Sequence, residues 1–425
     1  MLAIRLIAIA SFLFGAAAHG AELRGHGGPV RAIAITPDGK SAITGSFDAR
    51  AIIWSLDTGA ARAVLLFHDG QIDAVAVLPP GHFASAGADG RIAIWDEGHS
   101  SPISVLRNEA GPVVALAVSP DGATLAAASW DGEVRLWPLS GGQPRILEGH
   151  RNGVNSVVFL ADGTLASAGK DAAVMLWPPR PDTAPVRIAM PVATSTLAAT
   201  PSGRLFAGGA DGTLYEIDRS GAILGEAGIF PGPITALATM ADGRYIAAAA
   251  IRDGIVLLDA ETLKPVRTLD TAGMPVWALA FPPDGKTLLA GGADPVVQEW
   301  DLDTGKRRGT TMSPTDPMAA YAGNPDAEAF RACIACHTLD PDDGPRAGPT
   351  LHGIFGRRIA SVSGYPYSAA FREMDIVWTP ETVSKLFELG PTTYTPGTKM
   401  PEQTISDPED RAALIRFLKS ATGNK

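Results

Sequence analysis

Only two cysteines, Cys333 and Cys336, occur in 425 residues. No second C-x-x-C and no paired histidines accompany them, so a four-ligand structural zinc site is excluded. A disulfide across two intervening residues would be strained and would close almost no loop. Charge is scarce too: charged residues make up 19% of the chain, against 47 glycines and 34 prolines, a balance that favours turn-rich β structure over long surface helices. Positive charge is in deficit, and a net charge of −10 argues against nucleic acid or an anionic membrane surface as partner. After residue 20 no apolar run is long enough for a transmembrane helix.

What the chain does have is Cys333-Ile334-Ala335-Cys336-His337. A C-x-x-C-H run lets two thiols add across the vinyl groups of a haem while the adjacent imidazole reaches the iron. A thioredoxin-type C-x-x-C would instead open a helix inside a βαβ pattern, which this region lacks. The motif therefore predicts one covalently attached haem c, with His337 as an iron ligand. Residues 1–20 fit this chemistry. Arg5, an apolar stretch from Leu6 to Phe14 and the small residues Gly15 to Gly20 read as a cleaved export signal, with cleavage near Ala18 or Gly20. Covalent haem attachment in bacteria is completed outside the cytoplasm, so the expected location is the periplasm.

The middle of the chain is repetitive. A turn related to Pro-Asp-Gly recurs with its glycine at 39, 81, 122, 163, 203, 243 and 285, at intervals of 40 to 42 residues. A large apolar residue closing a strand keeps step at Trp54, Trp95, Trp137, Trp177, Ile217, Leu258 and Trp300. An aspartate stands six residues before that landmark in six units (Asp48, Asp89, Asp131, Asp171, Asp211, Asp294), and the sixth unit is one residue shorter, with Asp253. Between the marks, alternating segments such as Val30–Ile35 and Val154–Phe159 read as strands, and Asp131-Gly132 and Asp211-Gly212 as hairpin turns.

With Gly25-His26, Gly149-His150, Trp95-Asp96 and Trp300-Asp301, residues 21–302 resemble the WD-repeat family, although the fifth and sixth units lack the tryptophan. The resemblance implies an all-β, seven-bladed propeller, with Ala21–Arg24 supplying the outer strand of the last blade. It also implies that His26, His150 and the aspartates are scaffold. His68, His82 and His99 fall at unrelated repeat positions in this reading. Trp130 and Trp277 lie off the landmark series and are expected to fill gaps between blades rather than form an exposed docking face. Residues 303–322, with Lys306-Arg307-Arg308 as a solvated basic turn, are expected to be a linker.

Residues 323–425 suffice for a small helical domain. A helix is expected after Asn324-Pro325-Asp326 through Phe330 to Cys333, a second over Pro380–Leu389 and a third over Pro408–Ser420. Downstream candidates for the other axial ligand are His352, Met374 and Met400. Prolines on both sides of Met400 and a turn at Gly397 favour Met400, and His352 follows His337 too closely to cross to the opposite haem face. From Phe330 onward the chain resembles class I cytochromes c, through Cys333-x-x-Cys336-His337, Gly348 to Arg357 and Pro396 to Met400 in that order. The resemblance implies that the Pro349 carbonyl holds the His337 ring, that Arg357, Tyr367, Trp378 and Thr398 contact haem propionates, and that Phe330 packs near Phe417. Phe387 replaces a tyrosine, Thr392 and Thr393 replace rim lysines (Lys399 remains), and from Ala319 onward 11 Lys+Arg face 13 Asp+Glu.

These readings predict an exported monohaem electron carrier rather than an enzyme, whose propeller docks a protein redox partner such as a dehydrogenase, reductase or oxidase. The alternative is a propeller-based oxidoreductase passing substrate electrons to its own haem, yet residues 21–302 hold no quinone-cofactor cysteine pair and no metal-ligand cluster.

Overall fold

All seven landmark glycines take positive φ, between 63° and 85°, a conformation that side-chain-bearing residues resist. Each therefore reverses the chain between the first two strands of a four-stranded antiparallel unit. The structure, a computed structural model, describes residues 22–96, 99, 101–108, 111–308, 321, 323–330, 333, 337–340, 348–363, 365, 367, 369–396, 398, 400, 405 and 407–423. The expected export signal, Cys336 and most of the expected linker lie outside them.

Seven such units form the blades of a β-propeller: residues 30–66, 72–107, 113–147, 154–189, 194–228, 234–269 and a seventh spanning 276–301. The first strand of each blade meets the first strand of the next, and Val30–Ile35 meets Val276–Ala280, which closes the ring. Apolar residues fill the gaps between adjacent blades; Ile43 and Ile53 of the first pack with Phe83 and Trp95 of the second, all at most 1% exposed.

Closure uses both ends of the sheet-forming chain. Leu23–Arg24 pairs with Val296–Val297, as the resemblance implies. Arg307–Arg308 pairs with Glu299–Trp300 on the same strand, so the propeller sheet ends at Arg308 rather than at Leu302. The basic run is therefore not a solvated turn. Arg307 donates to Glu22 at 2.7 Å, and Arg308 pairs with Asp301 and Glu299.

Inside three blades a buried hydroxyl joins strand to turn. Thr44, Ser85 and Ser167 each accept from the indole N–H of Trp54, Trp95 or Trp177 at 2.8–2.9 Å and bond Nε2 of His26, His68 or His150 at 2.7–2.8 Å. Nδ1 of each histidine reaches Asp48, Asp89 or Asp171 at 2.9–3.2 Å. His68 thus occupies the same place as His26 and His150, correcting the sequence reading. Its partner residues differ (Phe67-His68 in place of Gly-His), and that difference hid the register. Burial alone would raise these aspartates, but the histidine and backbone N–H bonds outweigh it, holding Asp48 and Asp89 below the usual carboxylate range and Asp171 at about 2. Asn108 replaces the histidine in the third blade, and there the Trp137 indole N–H and Asn108 Oδ1 are buried without a partner.

Among the described residues the helical part holds a 3₁₀ turn at Ala327–Phe330 and four helices: α1 (Ala369–Glu373), α2 (Pro380–Leu389), α3 (Pro391–Tyr394) and α4 (Pro408–Thr422). The expected helix leading to Cys333 is only that 3₁₀ turn among the described residues. Thr379 caps α2 through a reciprocal pair of bonds with Thr382, and Asp407 caps α4. Val383, Leu386 and Phe387 of α2 and Leu414, Phe417 and Leu418 of α4 form the core. Among the described residues no helix is long and apolar enough to cross a membrane.

Two outcomes follow from this packing. Ser167→Ala strands both the Trp177 indole and the His150 ring in the interior and should cost about 2–4 kcal/mol in denaturant unfolding; a loss below about 0.5 kcal/mol contradicts the hydroxyl's linking role. Asp73, 8% exposed in the second blade's inner strand, is pushed up to about 6 by burial, which Arg31 at 3.9 Å and the Gln71 amide only partly offset. Its folded value lies above the ordinary 3.8, so the native state holds the proton more tightly. The stability this lends is full below pH 4 and is lost as pH rises through 6. Asp73→Asn should remove that slope, so the variant gains on the parent by about 1–3 kcal/mol between pH 4 and pH 7. Thermal unfolding across that range reads the difference, and parallel profiles would contradict it.

Candidate functional site

The site grows from the contact between the first and last elements of the helical part. Phe330, fully buried, stacks on Phe417 of α4 with centroids 5.1 Å apart, and Tyr321 meets the same ring edge-on. Asp326 and Arg416 pair over this contact at 2.9 Å. The chain then turns: the Cys333 N–H donates to the Phe330 carbonyl at 2.8 Å, and the His337 N–H donates to the Cys333 carbonyl at 2.9 Å. This bond ties the backbone of His337 to that of buried Cys333.

His337 Nδ1 donates to the Pro349 carbonyl at 2.8 Å, which fixes the tautomer that carries its lone pair on Nε2. This is the bond implied for Pro349. The preceding residue matters as much. A Cβ on Gly348 would stand 2.4 Å from Cε1 and 2.6 Å from Nδ1 of the His337 ring, so only glycine lets the loop lie against the imidazole. Gly348 had no assigned task in the sequence reading; its position directly before Pro349 was the available signal.

Arg357 and Trp378 lie on paired segments. The Trp378 N–H donates to the Arg357 carbonyl at 2.9 Å, and the Gly356 N–H to the Trp378 carbonyl at 2.8 Å. The Arg357 guanidinium reaches back to the Thr350 and His352 carbonyls at 2.6 and 2.8 Å, tying these segments to the loop that holds His337. Burial lowers the Arg357 pKa while the Tyr367 phenol opposes the shift; burial likewise raises the Tyr367 pKa, with Arg357 pulling it back. Arg357 and Tyr367 therefore face one another in a partly desolvated place. His352 contributes its carbonyl here.

Met400 packs on the same core as Leu351, Phe355, Trp378 and Tyr394. Its N–H donates to Thr398 Oγ1 at 3.0 Å, so Thr398 shapes the turn that presents Met400. Cys336 lies outside the described residues. Cys333, Trp378 and Met400 pack on one apolar core, while His337 is held by Pro349, Met400 by Thr398, and Arg357 faces Tyr367. Their chemistry fits a haem: one imidazole held by its far nitrogen, one thioether, one cysteine thiol tied to the imidazole's backbone, and an arginine facing a phenol.

On the propeller, Trp277 stacks on Phe47 of the first blade with centroids 5.5 Å apart, filling a gap between blades as expected. Trp130 differs. It is 47% exposed, with the Lys170 ammonium 4.2 Å from its ring centre.

Comparison with known proteins yields two findings. The family described as WD domain, G-beta repeat matches residues 19–55, 61–96, 100–138, 141–178 and 263–301. The fifth blade and the first three strands of the sixth fall outside these matches, although both blades keep the four-stranded form. Cytochrome c of Sesamum indicum is 43% identical over 90 residues, which is 21% of this chain and 80% of that protein. Cytochrome c of Ulva intestinalis is 41% identical over 106 residues, 24% of this chain and 95% of that protein. Cytochrome c of Ginkgo biloba is 39% identical over 116 residues, 27% of this chain and 99% of that protein.

The close approach of Gly348 can be checked directly. Gly348→Ala should displace the His337 ring and cost about 1–3 kcal/mol of stability in the haem-loaded protein, with a lower yield of covalently attached haem on denaturing gels. Unchanged stability and yield would mean that the loop relaxes without load on the imidazole.

Proposed function

Because this chain belongs to the cytochrome c family through about 90 residues and carries a WD40 propeller besides, we propose that it is an exported, monohaem electron carrier whose propeller docks a protein redox partner. The observation that carries the reading is the His337–Pro349 bond, which presents Nε2 for a metal beside the only cysteine pair in the chain. Cys333 and Cys336 would anchor haem c, and His337 and Met400 would be its axial ligands. Bound there, haem c supplies reversible exchange of one electron.

The chain's own residues do the remainder. Pro349 and Gly348 hold the imidazole in one orientation, so it need not reorganise when charge changes nearby. Thr398 orders the backbone that offers the Met400 thioether. Arg357, half-buried and tied to two carbonyls, gives a fixed positive charge, and with Tyr367, Trp378 and Thr398 it would take the propionates. The propeller supplies surface: seven blades expose turns and edges without a cluster of metal-ligating residues among the described ones. Held on the same chain, the carrier meets a partner docked on the propeller at raised effective concentration. The export signal of residues 1–20 sets this exchange in the periplasm.

Protein purified after export should carry one haem that survives denaturation and should bind carbon monoxide weakly, with the long-wavelength ferric band of methionine ligation. Met400→Ala should lose that band and bind carbon monoxide readily. Tight carbon monoxide binding by the parent protein, or an unaltered spectrum in the variant, would sink the ligand assignment. A second redox cofactor in the purified protein would replace the carrier reading with an oxidoreductase.

A further inference from the structure

Six of the seven blades guard their outer edge with arginine. Arg62, Arg107, Arg145, Arg187 and Arg267 stand in the outer strands of blades 1, 2, 3, 4 and 6, and Arg307 and Arg308 in that of the seventh. A charged, long side chain on an exposed edge discourages pairing with another chain. The fifth blade has no arginine there. Its outer strand, Ile223–Gly228, reads Ile-Leu-Gly-Glu-Ala-Gly and pairs on one side with Thr213–Ile217; no described strand pairs with its other side.

The same strand is apolar where it is open. Leu224 is 61% exposed and Ile223 39%. A Cβ added at Gly221 would meet Ile188 and Val186, so the turn before the strand lies on the rim of blade 4, where Val186 is itself 39% exposed. Glu226 is exposed in the middle of the strand, opposite Tyr215 in the ladder, and its carboxylate forms no hydrogen bond or ion pair among the described residues.

We infer that the blade 5 edge is a strand-addition site for an extended segment of a partner protein that carries a basic side chain opposite Glu226 and apolar side chains against Ile223 and Leu224. Backbone bonds to the open edge provide affinity and the alternate side chains provide register. A second copy of this chain is a poorer occupant. Every register of Ile223–Gly228 against itself sets Glu226 opposite an apolar residue, a glycine or another Glu226, and none supplies a cation. The inference deepens the docking role proposed for the propeller and does not involve the haem.

The test uses the full-length, haem-loaded protein and two synthetic peptides, acetyl-SVKVVVG-amide, which paired antiparallel with its lysine opposite Glu226 sets valines opposite Leu224 and Ile223, and the same peptide with glutamate for lysine. Hydrogen exchange of the amides in 223–228 should slow at least tenfold with the lysine peptide and little with the glutamate peptide. Glu226→Lys should reverse that preference. Leu224→Arg, which restores the guard of the other blades, should abolish protection, whereas Leu66→Arg on the equally apolar edge of blade 1 should leave it intact. Protection that appears at blade 1 instead, or at neither edge, overturns the site. Protection of 223–228 without peptide that grows with protein concentration overturns the choice of occupant. Haem reduction in Leu224→Arg serves as the separate reading: if it is normal while peptide binding fails, the carrier proposal stands and only this surface falls.

Discussion

Ring closure is the constraint on which the propeller depends, since an open array of blades would leave two apolar faces in water. Besides the contact of Val30–Ile35 with Val276–Ala280, it rests on one strand, Val296–Asp301, which receives Leu23–Arg24 along its first half and Arg307–Arg308 along its second. The Glu22–Arg307 pair joins these two short pieces across 285 positions of sequence. The contact is mostly buried and charge-assisted, with Glu22 about 5% exposed at its side chain, so it couples the start of the ring to its end more firmly than a solvated pair would. Each piece is only two residues long, and neither would hold as a strand alone. Together they give the seventh blade its outer edge.

Within blades, the same logic is carried by one hydroxyl placed between an indole and an imidazole. This arrangement fails gradually around the ring. Blades 1, 2 and 4 keep it whole, blade 3 substitutes Asn108, and blade 7 retains Trp300 with its indole N–H buried and unpartnered. In blade 5 Asp211 accepts from Tyr215 instead. The blades persist because each is also wedged between neighbours by apolar side chains, so losing a polar link lowers stability without changing shape. That redundancy explains why the family match skips residues 179–262 while the sheets there remain.

The spacing of glycine and tryptophan made the propeller legible, because the two marks are independent consequences of one four-stranded unit. His68 was not legible, since its neighbours lack the Gly-His pair, and only the bonds to Ser85 and Asp89 reveal its place. Arg307 and Arg308 were misread for a related reason: a charged run looks solvated until its carboxylate partners, distant in sequence, are brought to it. In the helical part the capped helices α2 and α4 follow from local spacing, and the His337–Pro349 bond from the resemblance to class I cytochromes c. The job of Gly348 does not, because it depends on an atom the residue lacks. Nor does the anchoring of Arg357 by the Thr350 and His352 carbonyls, which backbone folding alone creates.

Charge connects the two parts of the chain. The helical part has 11 basic and 13 acidic residues from Ala319 onward, so long-range attraction cannot strongly orient it toward an acidic partner. Specific docking must then come from shape, backbone bonding and apolar contact, which are short-range and slow to find. A propeller offers such contacts over a wide rim, and its arginine-guarded edges limit how many of them a stray strand can use. A carrier domain with weak steering gains most from being tied to a surface of this kind, because tethering replaces the encounter rate that charge would otherwise supply.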